Sequence, residues 1–301
     1  MASNITLRQL RYFVSVAQSG QFSLAAMQEN VSQSTISTAI MAIEEELGVR
    51  LFERLPQGVS VTPEGQDFLR HARHILESVR DALESPRFKE RSLSGRVRIA
   101  ASYTVLGYFL PELMARFRAS YPDVALEVVE LERLDVEAAV LDGTVDIGMV
   151  ILSNVQKLNR FGHATLVRSR RQLWVAPSHP LAQVRTPSLA DIARHPYLLL
   201  TADEGEQSAL AYWRGAGLSP DIYTRTSSIE ALRGLVGHGF GVTILSDMIY
   251  RPWSLEGKRI DARPVLDAVP HMAAGMLWRR GAKFSEAAEA FQQFLIQSFG
   301  V

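Results

Sequence analysis

Val31-Ser32-Gln33-Ser34-Thr35-Ile36-Ser37-Thr38-Ala39-Ile40-Met41-Ala42-Ile43-Glu44-Glu45-Glu46-Leu47-Gly48 carries the marks of a single helix with both ends punctuated. Ser32 offers a side-chain oxygen to the free N–H groups of a first turn, and Gly48 supplies the residue type that ends a helix. Ile36, Ile40, Ile43 and Leu47 recur every three or four residues, which predicts one buried face. Gln33, Ser34, Ser37, Thr38 and Met41 fall on the outward face. Ser32, Gln33, Ser34, Thr35, Ser37 and Thr38 crowd the N-terminal half, the end that a recognition helix presents to DNA. There Gln pairs with adenine and hydroxyls bond phosphate. A solvated face on a small helical domain has the same composition, so the helix alone leaves both readings open.

On its N-terminal side, Thr6-Leu7-Arg8-Gln9 is a capping-box pattern opening a stripe of Leu7, Leu10, Val14 and Ala17, closed by Ser19-Gly20. Ser23 is the expected cap of a short second helix holding Leu24, Ala25, Ala26 and Met27, with Asn30 at its C-terminal end. Two helices across so tight a turn outline a helix-turn-helix. On the C-terminal side, residues 50–55 and 59–61 read as the strands of a hairpin about Pro56-Gln57-Gly58. A hairpin in that place is a wing, with Arg54 at its base and Gln57 at its tip as further candidate DNA contacts.

The 301 residues suffice for two or three domains, and 47% hydrophobic with 21% charged residues is ordinary for globular chains. Lys+Arg and Asp+Glu both number 32, so net charge points to neither nucleic acid nor membrane. Cysteine is absent, which excludes disulfides and thiolate metal sites. No secretory signal is visible, and no run approaches the ~20 apolar residues of a membrane helix. A cytoplasmic location is expected.

Six segments fall in register over the first third of the chain: Leu10-Arg11-Tyr12-Phe13, Ser23-Leu24-Ala25-Ala26, Val31-Ser32-Gln33-Ser34, Glu44-Glu45-Glu46-Leu47-Gly48, Leu51-Phe52-Glu53-Arg54 and Val61-Thr62-Pro63-Glu64-Gly65. Their order and spacing resemble the LysR-type transcriptional regulators, and the rest of the chain fits that layout to its end. The resemblance implies an α/β protein with an all-α-rich N-terminal winged helix-turn-helix and a two-lobed periplasmic-binding-protein-like sensor domain. The implied partners are double-stranded DNA, a small-molecule effector, with a small organic acid as candidate, and further copies in a homodimer or homotetramer. No cofactor, metal or membrane is implied. One departure concerns charge. Such regulators often carry Arg or Lys near the positions of Thr38, Ala39, Met41 and Ala42, whereas residues 1–90 hold 9 Lys/Arg against 11 Asp/Glu. Each phosphate contact adds to the salt dependence of binding. Weak affinity for random DNA with a shallow salt dependence is therefore expected, and a steep one would contradict this reading.

Thr62 and Pro63 open a helix reaching to about residue 88. Phe68, Ala72, Ile75, Val79 and Ala82, flanked by Leu69, Leu76 and Leu83, form a heptad stripe suited to a second copy or to the helix's own domain. Fewer than four heptads make a marginal isolated coil, so the sensor is expected to share in dimerisation. Ser85-Pro86 and Ser92-Leu93-Ser94-Gly95 mark a hinge. The expected domains are 1–62, a linker helix 63–91, and 92–301.

Beyond the hinge, strand and helix patterns alternate, which predicts a parallel sheet covered on both faces, in two rounds with a cleft between two lobes. By the resemblance, the first lobe is 96–164 with 268–301 and the second 165–267. Ser102-Tyr103-Thr104 follows the first strand and opens a helix, an arrangement suited to an anion and equally to ordinary capping. Ser227-Ser228-Ile229-Glu230 is a second capping-box pattern, and Thr201 ends a Leu-rich strand. Glu130, after the second strand, suits a cationic group, which leaves the effector's charge open. The alternative is an α/β small-molecule-binding protein or enzyme without a DNA role. Gly237-His238-Gly239-Phe240-Gly241 precedes a strand, the reverse of a dinucleotide loop, and no catalytic motif appears.

Overall fold

The computed structural model describes residues 5–55, 58–88 and 93–299. In the first of its two units, Met1–Arg91, the capping box at Thr6 forms and α1 (Leu7–Ser19) ends at left-handed Gly20. The second helix, α2 (Phe22–Gln28), begins two residues earlier than a cap at Ser23 implies, with Gln21 at its N-cap and no side-chain cap bond. Asn30 takes the left-handed backbone (φ 54°) that turns the chain toward α3 (Gln33–Leu47). There the Ser32 hydroxyl accepts from Thr35 N at 3.1 Å.

Two buried stripes differ from the spacing rule. On α1 the inner residues are Leu10, Tyr12, Phe13, Ser15 and Val16, while Leu7 is exposed, because α1 packs against both α3 and the later long helix. On α3, Ile36, Ile40 and Ile43 are buried, but Leu47 is 40% exposed and Glu44 takes the inner position. The reason lies in the next segment. Glu44 Oε1 accepts from Leu51 N at 2.7 Å and Phe52 N at 3.2 Å, and Oε2 accepts from Arg50 at 2.9 Å. The carboxylate thus satisfies buried N–H groups where the wing begins. Glu44→Ala leaves them unpaired and is expected to cost about 2–3 kcal/mol; chemical denaturation checks this, with Glu44→Gln, which keeps one acceptor, losing less.

The wing itself is β1 (Phe52–Leu55) antiparallel to β2 (Gly58–Val61). Thr62 Oγ1 accepts from Gly65 N at 2.9 Å and starts α4 (Pro63–Phe88). Gly65 has no room for a side chain: a Cβ there would lie 2.2 Å from the Leu51 carbonyl oxygen. Phe68, Leu69, Ala72 and Leu76 of the heptad stripe pack into this unit's own core, with Phe13 and Phe68 rings 5.0 Å apart. Ile75 stays 43% exposed. The side chains of Ala82 and Leu83, also on that stripe, lie outside the described residues.

The second unit, Ser92–Val301, opens with β3 (Gly95–Ala101), α5 (Tyr103–Tyr108), α6 (Leu110–Ser120), β4 (Val124–Glu130), α7 (Arg133–Asp142) and β5 (Ile147–Ile151). The pattern from Leu106 to Ser120 reads as one helix, but two stand there, since Pro111 opens the second. There follow β6 (Phe161–Ser169), β7 (Arg171–Val175), α8 (Leu189–Ile192), β8 (Pro196–Leu200), α9 (Gly205–Gly215), β9 (Asp221–Thr226), α10 (Ile229–Gly237), β10 (Thr243–Ser246), β11 (Asp261–Pro264), β12 (Met272–Arg279) and α11 (Glu286–Phe299).

The expectation of a purely parallel sheet needs correcting. One sheet has the order β4-β3-β5-β12-β6, parallel through β4, β3 and β5, with β12 antiparallel to both neighbours. The last strand returns from the other lobe and so runs backwards. The second lobe has the antiparallel set β10-β7-β11 and the parallel pair β8-β9, joined by a Tyr197–Val242 bridge. Because β6 pairs with β12 as far as Ser169 opposite Met272, the chain leaves the first sheet after Ser169 and rejoins it at Met272. Each lobe has its own core, around Phe117 and Phe291 in the first and Trp213 in the second. Among the described residues no helix is long and apolar enough to cross a membrane.

Candidate functional site

Two places in the molecule gather polar side chains beyond what helix capping uses. The first is the N-terminal half of α3. Ser32, Gln33, Ser34, Thr35 and Thr38 are exposed there, Ser37 is half-buried, and Met41 is 58% exposed beside them. The Ser32 hydroxyl lies 2.8 Å from those of Ser34 and Thr35. Arg54 pairs with Val59 in the wing; its side chain, and all of Gln57, lie outside the described residues. Arg11, on α1, is taken by Glu29 at 2.7 Å. The outward face of α3 therefore offers hydroxyls, one amide and a thioether over its first turns, with no cation, and the acidic Glu45 and Glu46 exposed toward its C-terminal end.

The second place is a cavity of about 50 Å³ between the lobes of the second unit, at the ends of β7, β8 and β10. Arg171, the first residue of β7, lines it. Its guanidinium donates to Ser208 Oγ at 2.7 Å and to the Pro270 carbonyl at 3.2 Å, and lies 5.7 Å over the Tyr212 ring. No carboxylate among the described residues pairs with it, and burial pushes its pKa below the usual value. This half-buried cation thus has neutral acceptors only among the described residues. Tyr197 and Tyr212 share a hydrogen bond of 3.0 Å beside it, and burial holds the Tyr212 phenol well above its ordinary value.

Asp203 lines the same cavity from the loop after β8. Its Oδ2 accepts from Thr104 N, the second residue of α5, at 2.6 Å, and its carbonyl accepts from Asn154 at 2.7 Å. Asp203 and Glu204 are consecutive non-glycine residues with φ 48° and 61°, each costing about 1 kcal/mol or more. What holds them is a set of bonds between lobes. Arg133, on α7 and almost fully buried, donates from Nε to both Glu204 oxygens at 2.7 Å and also pairs with Glu137. Those hydrogen bonds, Glu204's first, keep its pKa above the ordinary value. Tyr108 donates to Glu230 at 2.9 Å, a further link from α5 to α10.

This architecture has counterparts among known proteins. Residues 7–66 match the family described as "Bacterial regulatory helix-turn-helix protein, lysR family", and residues 90–300 match "LysR substrate binding domain". The chain belongs to the LysR family of transcriptional regulators. It is 31% identical to the HTH-type transcriptional regulator YnfL of Escherichia coli K12, over 98% of this chain and 99% of that one. It is 29% identical to the transcriptional dual regulator OxyR of the same organism, over 96% and 95%. Among solved structures, HinK, a LysR family regulator from Pseudomonas aeruginosa, is similar with a TM-score of 0.63, 26% identity, and coverage of 98% and 99%. The LysR fold thus accounts for both units, and the chain is a ligand-responsive, DNA-binding transcriptional regulator of that family.

Set on the LysR substrate-binding domain, the residues expected at the effector site divide. Thr104 lines the cavity and, through its N–H, holds Asp203. Ser102 is buried behind it, its hydroxyl without a partner among the described residues. Tyr103 is half-buried and packs against the second lobe's core. Thr201 is not among the lining residues; its N–H is engaged by the Thr226 carbonyl, although Leu200 and Ala202 beside it do line the cavity. Glu130 is exposed at the end of β4 and Ser227 is exposed after β9. No capping box forms at 227–230: Ser228 is the N-cap and accepts from Ala231 N at 3.1 Å, leaving Glu230 to bind Tyr108 and Arg233. Arg171, Asp203, Asn154, Ser208, Tyr197 and Tyr212 escape sequence reasoning. The available signals were an Arg opening the first strand of the second round and an acidic pair directly after a buried strand.

Proposed function

We propose that this LysR-family regulator reads DNA with Ser32, Gln33, Ser34, Thr35, Ser37 and Thr38 of α3, aided by Arg54 and Gln57 of the wing. In this reading residues 1–62 are the reader, 63–91 the linker and 92–301 the sensor. The sensor takes a small organic acid between its lobes, with the carboxylate on Arg171. The observation that carries this is the Arg171 guanidinium, which lines the cavity without a counter-ion among the described residues. A bound carboxylate supplies the charge-assisted, two-point partner that a guanidinium geometry favours. The effector acts by binding the closed and open lobe arrangements unequally, since only differential affinity shifts such an equilibrium, and lobe closure then resets the spacing of paired readers. The protein works as a homodimer or homotetramer in the cytoplasm, by binding and without a catalytic step.

The reader is tested by fluorescence anisotropy on the DNA flanking the gene. Gln33→Ala is expected to weaken binding to that DNA by about 1–3 kcal/mol, the worth of one base contact, and to leave binding to random DNA unchanged. Equal losses on both would assign Gln33 to the backbone instead, and no binding by the parent protein at its own flanking DNA would remove the reading of these residues.

A further inference from the structure

Two opposite charges share the cavity and do not meet. Arg171 has only neutral acceptors, and Asp203 has only the N–H of Thr104 on its carboxylate, with no cation paired to it among the described residues. A simple carboxylic acid satisfies the first and leaves the second facing the guest across a small, desolvated space, where an unmatched charge is costly. A ligand that matches both must carry a negative and a positive group. We propose that the effector is a small zwitterion, an amino acid, with its carboxylate on Arg171 and its ammonium on the free oxygen of Asp203. This rests on the cavity being the effector site and names the chemistry of its guest.

The remaining lining agrees with that guest. The cavity measures about 50 Å³, a few times the roughly 10–15 Å³ that one water needs on the same measure, so in this arrangement it admits only a small guest. Beyond Arg171 and Asp203 the described lining holds no charge, only apolar groups such as Ile151, Ile244 and Met272 and neutral polar ones such as Asn154 and Thr243, which suits a short neutral side chain and gives a second charged one no ionic partner. Asp203 holds its carboxylate there through two consecutive left-handed residues and the Arg133 ion pair to Glu204. An acidic side chain is thus kept at the cavity wall by constraints that an ordinary loop does not need.

Thermal shift and calorimetry on the full chain test this with matched probes. The zwitterions are glycine, L-alanine, L-serine, L-threonine, L-valine, β-alanine and γ-aminobutyrate; the controls are acetate, propionate, lactate and ethylamine. At least one zwitterion is expected to stabilise the protein and to bind at least about tenfold tighter than its deaminated acid. Asp203→Asn keeps the acceptor for Thr104 N and tolerates the left-handed backbone, so it removes charge with little change of shape. It is expected to abolish that preference, with propionate then binding as well as alanine. Should propionate bind the parent as tightly as alanine, or Asp203→Asn keep the parent's preference, the zwitterion is wrong while an Arg171-dependent acid site stands. Should acid binding persist unchanged in Arg171→Gln, the site reading itself falls. No response to any zwitterion overturns the proposal.

Discussion

Arg171→Gln is expected to abolish the effector response while leaving DNA binding by the unliganded protein as it was. The argument is electrostatic. Among the described residues that line the cavity the Arg171 guanidinium is the one cation, and removing one partner of a buried, hydrogen-bonded charge pair costs about 2–5 kcal/mol, a factor of roughly 30 or more in affinity. Glutamine keeps a neutral hydrogen-bonding head at the start of β7, on a side chain shorter than the arginine that now donates to Ser208 and the Pro270 carbonyl. Calorimetry with the best-binding acid measures the loss, and anisotropy on operator DNA confirms that the reader is intact. An effector affinity within threefold of the parent's would place the ligand elsewhere.

Arg133→Ala carries the second large effect, on stability and on lobe closure together. Arg133 is nearly inaccessible and bonds Glu204 across the cleft and Glu137 one turn along its own helix. Its removal leaves two carboxylates facing each other without a cation, and breaking a buried ion pair in this way costs about 3–5 kcal/mol; the partial exposure of both glutamates places the expectation near the lower end. The same loss frees Glu204 and with it the left-handed loop that presents Asp203. Effector affinity should therefore fall along with the denaturation midpoint of the sensor. Arg133→Met combined with Glu204→Gln and Glu137→Gln removes all three charges and is expected to recover much of the midpoint. If the triple replacement is no more stable than Arg133→Ala, uncompensated charge is not the cause.

The reader was largely legible because its determinants are local. Caps at Thr6 and Ser32, stops at Gly20 and Gly48, and the three isoleucines of α3 depend on neighbours within a few residues. The Leu47–Glu44 exchange on that helix was not legible, since the inner position is decided by the N–H groups of Leu51 and Phe52, which only the folded wing brings into reach. The strand β6 escaped for a related reason. Gly162 and His163 blur its alternation, and its partner β12 lies far along the chain. In the sensor, Thr104 was readable as part of a strand-to-helix junction. The charges that decide the cavity's chemistry, Arg171 and Asp203, come from the start of β7 and the loop after β8, two strands of different sheets in the second lobe. Their juxtaposition, and the absence of any mutual pairing, belongs to the tertiary structure alone.

The central claim is that the inter-lobe cavity and the DNA reader are coupled, and reciprocity of linkage gives it a direct measurement. The affinity of the best-binding zwitterion is measured by calorimetry with and without saturating operator DNA, and the affinity for operator DNA with and without the saturating zwitterion. The account predicts the same factor in both directions, about 5- to 150-fold, and no such factor in Arg171→Gln. Effector and DNA affinities that ignore each other in the parent protein would contradict it.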